Sequence, residues 1–169
     1  MQYDTIEVPL TVSTDAYADN DVFFANTEFG LPARSCKIVG AYLIDGDSRI
    51  DTTDNIDFYF FSQNVASLGT VNATADISAA NFLSNKLQGI LTVDQNNAGT
   101  ELDNLNVHYM MPAYDTTPPG NMPIQVCLRS GVKSDNNVFP MYVGGLIRTI
   151  ASLDYSNADA LTIVLNVEY

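Results

Sequence analysis

Residues 56–69, I-D-F-Y-F-F-S-Q-N-V-A-S-L-G, constrain this chain more than any other stretch. Four aromatics, Phe58 to Phe61, follow one another and then give way to a short polar break. Aromatic residues favour strands, and a strand carrying so much apolar area belongs in an interior. The rest of the chain must therefore supply the cover.

At 169 residues the chain has the length of one domain, residues 1–169. Chains of roughly 150 residues hide about two-thirds of their unfolded surface, which is enough for a real core. Hydrophobic residues make up 46% and charged ones only 16%, so a disordered polyelectrolyte is excluded. Twenty acidic against seven basic side chains give a net charge of −13. Such a surface repels a phosphate backbone unless its cations cluster, and Lys37, Lys86, Arg129, Lys133 and Arg148 are scattered. Nucleic acid and anionic membranes are accordingly not expected partners. The longest apolar run, residues 38–44, falls far short of the ~20 residues of a membrane helix, and the first residues show no basic start. A soluble chain without a secretion signal is the expectation.

The chain reads as strands separated by turn formers. Ile6, Val8, Leu10 and Val12 alternate with Glu7, Pro9 and Thr11, the period of a half-buried strand. Pro9 cannot donate to a ladder, which predicts an edge position. Residues 35–45 run apolar on both faces and want cover on two sides. After the turn-rich residues 45–55, the aromatic strand resumes, so residues 35–45 and 56–61 read as an antiparallel pair at the centre of a sheet. Residues 74–83 give the one good helical pattern, near 76–83, with Thr74 or Asp76 as cap. Leu105, Val107 and Tyr109 alternate with Asn104, Asn106 and His108.

Prolines 112, 118, 119 and 123 make residues 111–123 a stiff exposed loop. Residues 124–129 alternate again, and a hairpin turn at 130–137 leads to a long strand at 138–150 whose Gly144-Gly145 marks a bulge or close packing point. Leu161, Ile163, Leu165 and Val167 form the last buried face, with Val164 breaking the polar alternation opposite. Together these predict an all-β fold: a two-layer antiparallel β-sandwich of jelly-roll or Greek-key order with one short helix.

Catalytic chemistry is thin. The chain has one histidine, two cysteines and no tryptophan. His108 lacks the second histidine or nearby cysteine of a metal set and reads as a solvated or hydrogen-bonded strand residue. Gly131-Val132-Lys133-Ser134 echoes the end of a phosphate loop, but Val126 stands where its first glycine belongs. Asp45, Asp47, Asp51 and Asp54 crowd one turn, which raises a glycosidase pair or a calcium loop as readings. The turn holds no aromatic platform, and Arg49 and Ile50 break the calcium pattern. Neither a cofactor nor an enzymatic activity is expected. Spacing leaves two states open for Cys36 and Cys127, buried thiols or a bridge between facing strands.

Several segments carry a resemblance. T-D-A-Y-A-D-N-D-V-F-F at 14–24, F-Y-F-F-S-Q-N-V-A-S-L-G-T-V-N-A at 58–73, A-D-I-S-A-A-N-F at 75–82, M-Y-V-G-G-L-I-R-T-I at 141–150 and S-N-A-D-A-L-T-I-V-L-N-V at 156–167 together resemble a family of tailed-phage virion structural proteins, common in phages of aquatic bacteria. The match in order and spacing covers most of the chain. It departs at the Pro-rich insertion and at Phe23-Phe24, where smaller residues are usual. The resemblance implies a decoration or cement protein on the outer surface of the capsid. It would be assembled in the host cytoplasm, bound to the major capsid protein and oligomeric, with a trimer favoured over a dimer. A receptor- or carbohydrate-binding module of a tail or fibre is the alternative. Exposure and stiffness nominate Val8, Leu10, Tyr42, Tyr114, Pro118, Pro119 and Met122 as interface residues.

Overall fold

Alternation and turn chemistry resolve, in the computed structural model, into eleven strands and one helix among the described residues. The structure describes residues 1–51, 53–93, 100–102, 105–112, 126–130, 138–150 and 153–169. The strands are β1 (Tyr3–Leu10), β2 (Val22–Leu31), β3 (Ser35–Asp45), β4 (Asn55–Phe61), β5 (Leu87–Val93), β6 (Thr100–Leu102), β7 (Leu105–Tyr109), β8 (Met111–Pro112), β9 (Val126–Arg129), β10 (Phe139–Thr149) and β11 (Leu161–Glu168). The helix, α1, is Ala79–Ser84.

Two antiparallel sheets share these strands. Sheet A has the order β1-β11-β3-β7-β6, with β9 pairing β3 beyond the end of β7; sheet B has the order β2-β10-β4-β5-β8. The pairs nest: β1 with β11, β2 with β10, β3 with β7 and β9, β4 with β5. A long hairpin folded back on itself so that successive pairs alternate between two sheets is a jelly roll. The all-β sandwich expected from the sequence is what forms.

Local expectations fare differently. Pro9 opposes Thr162 in β1, which has a partner on one side only and is the edge strand that the missing N–H requires. β3 and β4, read as a central pair, instead lie in different sheets, because the turn between them crosses the sandwich. Likewise β9 and β10 are not a hairpin: β9 pairs β3 and β10 pairs β2 and β4. The expected turn at 130–137 lies outside the described residues after Ser130, as does the Pro-rich loop after Pro112. The helix starts later than predicted. Ser78, not Thr74 or Asp76, caps it by accepting the Asn81 N–H.

The aromatic run shows why β4 organises the molecule. Ile56, Phe58 and Phe60 enter the core between the sheets, where Phe58 meets Phe24 and Phe60 meets Phe29. Tyr59 and Phe61 point the other way, onto the outer face of sheet B. There residues 62–86, the connection from β4 to β5, fold back as a lid, and Leu68, Val71, Ile77 and Phe82 close over Val22 and Phe61. Hydrogen bonds hold this lid down: Val22 N–H donates to the Ala73 carbonyl and Asn72 N–H to the Val22 carbonyl. Asn85, fully buried, accepts from the Val65 and Ala66 amides and donates to the Ala66 carbonyl.

Gly144 and Gly145 sit beneath both layers. A Cβ on Gly145 would stand 2.3 Å from the Phe24 ring, and one on Gly144 2.7 Å from Leu68. Neither neighbour is free to retreat from a packed layer. The pair is both close packing point and bulge, since the register against β2 shifts there.

Leu68 lies in a connection yet is 1% exposed. Leu68→Ala is therefore expected to cost ~2–5 kcal/mol, the range of a core leucine. Urea denaturation measures it, and a loss below about 1 kcal/mol, the scale of a surface change, would show that the lid is not packed.

Candidate functional site

Two places merit a functional reading, the acidic turn after β3 and the outer face of sheet A. In the turn, backbone donors occupy the carboxylates. Asp45, fully buried, accepts from the amides of Asp47 at 3.1 Å, Arg49 at 2.7 Å and Ile50 at 2.8 Å. Asp54 accepts from the Asp51 amide at 2.8 Å. Asp47 accepts from the Ser156 amide at 2.6 Å and from its hydroxyl at 2.8 Å, and Arg49 Nε lies 3.4 Å away. Those contacts, the Ser156 amide foremost, hold the Asp47 carboxyl below its ordinary range. The acids shape the turn. Among the described residues no group of three or more His, Cys, Asp or Glu is placed to hold a metal ion.

Behind this turn lies a buried polar cluster that sequence periodicity missed. Asn106 opposes Asp45 in the β3–β7 register, and β7 is turned so that Asn106 and His108 face inward. Leu105, Val107 and Tyr109 then face out, the reverse of the usual arrangement. His108, expected as a solvated or hydrogen-bonded strand residue, is not solvated: it is 5% exposed, and its Nε2 has no hydrogen-bond partner. Burial pushes the imidazole below its usual 6.5, against the upward pull of Asp45 and Asp54. Tyr155, facing the same two carboxylates, also has a buried hydroxyl without a partner, and burial raises it well above 10. Tyr17 beside it donates to the Phe23 carbonyl and is pushed up by burial to about 12. These groups are held in their neutral forms and fill the end of the sandwich.

The outer face of sheet A is different in kind. Its rows run Pro9, Thr162, Ile44, Val107 and Glu7, Val164, Tyr42, Tyr109 across β1, β11, β3 and β7. Tyr42, on the central strand β3, touches Tyr109 at the end of β7, ring centroids 5.4 Å apart, and Tyr109 is 52% exposed. Val39, at the irregularity between β3 and β11, adds to it. Antiparallel sheets with one wet face normally alternate polar outward; β1 and β11 do so here with Thr5, Glu7, Thr162, Asn166 and Glu168, whereas β3 and β7 set Tyr42, Ile44, Leu105, Val107 and Tyr109 outward beside Val164. Sheet B, by contrast, has its outer face under the lid.

Of the residues nominated from sequence, Tyr42 falls on this face. Val8 and Leu10 do not: each is 1% exposed, on the core side of β1, and has no surface to offer a partner. Tyr114, Pro118, Pro119 and Met122 lie outside the described residues. The cysteines form no bridge, and of the two expected buried thiols Cys36 is one and Cys127 is not. Cys36 is buried and Cys127 exposed, both free, because Cys36 opposes Leu128 and Cys127 opposes Lys37, which puts the two on opposite faces of the sheet. An open groove of about 380 Å³ along Tyr3, Asp4, Thr5, Asn166 and Val167 carries one aromatic ring.

The chain matches no protein-family model and no curated protein. Among solved structures it is similar to that titled Sacbrood virus of honeybee, at 11% identity and a TM-score of 0.25, covering 99% of this chain and 67% of that one. It is also similar to the infectious bursal disease virus VP2 subviral particle, at 16% identity and a TM-score of 0.25 over 99% of this chain. A third likeness is to infectious bursal disease virus Gx strain, at 10% identity and a TM-score of 0.21 over 98% of this chain. The chain spans 37% and 39% of the latter two. At scores this low the likeness carries no argument about role.

Two measurements test the turn and the cluster behind it. Unfolded His108 takes up a proton near pH 6.5 while the buried imidazole does so only at lower pH, so folding stability should fall as pH drops from about 6.5 toward 5. His108→Gln should flatten that part of the stability–pH curve, and an unchanged slope would contradict the assignment. Millimolar calcium should leave the melting temperature unchanged, since backbone donors already occupy the Asp45, Asp47 and Asp54 carboxylates; a rise of several degrees would reinstate a calcium loop.

Proposed function

We propose that the chain is a non-enzymatic structural protein of a tailed-phage virion, a decoration or cement protein on the outer surface of the head. The observation that carries this reading is the apolar patch that β3 and β7, with Val164, present on the outer face of sheet A. A protein that works alone in water gains nothing from Tyr42, Ile44, Val107, Tyr109 and Val164 on one open face; a part that is bonded into an assembly does. Jelly rolls serve as shell modules, and the resemblance of the sequence to phage virion proteins points the same way. The acidic side chains elsewhere keep finished particles apart by repulsion. The proline-rich segment with Tyr114, Pro118, Pro119 and Met122 is the proposed contact with the major capsid protein.

Particle composition is the test. Purified virions analysed by mass spectrometry and electron cryomicroscopy should show the chain on the head, in a copy number set by the symmetry of the shell. A few copies confined to the tail would favour the receptor-binding alternative. Absence from particles, or turnover of a substrate by the purified chain, would contradict a structural role. Deleting residues 115–120 should weaken attachment to the shell while leaving the fold intact.

A further inference from the structure

We propose that the outer face of sheet A is a self-association interface, in which two copies of this chain pack sheet A against sheet A about a two-fold axis. The inference deepens the assembly reading above, since it names what covers the face that reading depends on.

Charge selects the occupant. The whole chain carries −13, yet the charged side chains described on this face are Glu7, Glu168, Lys37 and Arg129, two of each sign. Lys37 and Glu168 are cross-strand neighbours, toward one end of the face with Arg129. Two copies of so acidic a molecule repel one another over most of their surface, and a charge-balanced face lets them meet at least cost. A basic partner of another kind would be drawn to the acidic surfaces instead. Self-association is the contact for which a charge-balanced face with an apolar patch is suited.

Area and anchoring agree with this. Four strands about 4.8 Å apart, each contributing roughly seven residues at about 3.4 Å, make a face of ~500 Å² per copy. Two such faces bury ~1,000 Å², the lower bound for a specific interface. Tyr42 stands on the central strand β3 with Tyr109 of β7 against it, an aromatic pair of the kind that anchors interfaces, while Glu7 stands on the edge strand and Lys37, Glu168 and Arg129 toward one end. A single self-complementary face closes as a pair rather than a ring. That differs from the trimer the sequence resemblance favours, and a mass measurement separates the two.

The experiment is sedimentation equilibrium of the purified full-length chain across the micromolar range, with Tyr42→Glu, Val164→Lys and, as a control on the lid, Leu83→Lys. Wild type and Leu83→Lys should be dimers, and added salt should tighten them by screening the net repulsion. Tyr42→Glu and Val164→Lys should each weaken the dimer about tenfold or more. Both side chains lie outside the core, so melting temperature and circular dichroism should confirm folded variants. Exposed Cys127, beside Lys37 on the same face, should react with a maleimide more slowly in the dimer than in the Val164→Lys monomer. A monomer at every concentration, a trimer, or a dimer indifferent to both face variants overturns the proposal. A monomeric chain that is nonetheless found on virions refutes the pairing and leaves the virion role standing; a dimer absent from virions does the reverse.

Discussion

Burial of β4 on both faces is the constraint from which the rest of the structure follows. A strand of consecutive aromatics cannot be satisfied by a two-layer sandwich alone, because only one of its faces meets the core. Phe58 and Phe60 fill the space between the sheets, while Tyr59 and Phe61 need a second cover, which residues 62–86 provide. The short helix belongs to that lid: Phe82 lies edge-on to both Tyr59 and Phe61. The two glycines of β10, adjacent to β4, bring both layers to within contact of the backbone. Sheet B is thus the middle layer of three, and sheet A is left with one side open.

How much of this the sequence reveals depends on whether a signal is local. Alternation in β1 and β11 gives their inward faces correctly, and Pro9 places β1 at an edge, because both effects act within the strand itself. Pairing is not local. Residues 35–45 and 56–61 are adjacent in sequence and apolar, yet lie in different sheets, since a jelly roll joins strands that are far apart along the chain. The face of β7 is misread for another reason. Hydrophobic periodicity puts Val107 and Tyr109 inside, but the end of the sandwich is already polar with Asp45 and Asp54, and Asn106 and His108 fit it better. Val8 and Leu10 show the same limit from the other side: apolar spacing marks a face without telling whether core or partner covers it.

The acidic turn shows why clustered carboxylates are weak indicators of chemistry. The Asp45 and Asp54 side chains, which suggest a calcium loop or a glycosidase pair from sequence, accept from backbone amides of the turn itself, and Asp47 accepts from Ser156, so these carboxylates close the crossing from sheet A to sheet B. Charge-assisted bonds of this kind are among the stronger ones available to a turn. The signal for a working site would have been carboxylates facing open space with their backbone neighbours satisfied elsewhere. What stands out instead is the apolar face of sheet A, already hinted at by the two-sided apolarity of residues 35–45 and by Val164.

The central claim is therefore an asymmetry: one sheet covered by its own chain, the other awaiting a partner. Oxidative footprinting of aromatic side chains, on the dilute chain and on the chain within its assembly, tests it most directly. The account predicts that Phe61 is protected in both states, while Tyr109 and Tyr42 react in the dilute chain and become protected on assembly. Reactivity of Phe61 matching that of Tyr109 in the dilute chain, or Tyr42 and Tyr109 equally reactive before and after assembly, would contradict it.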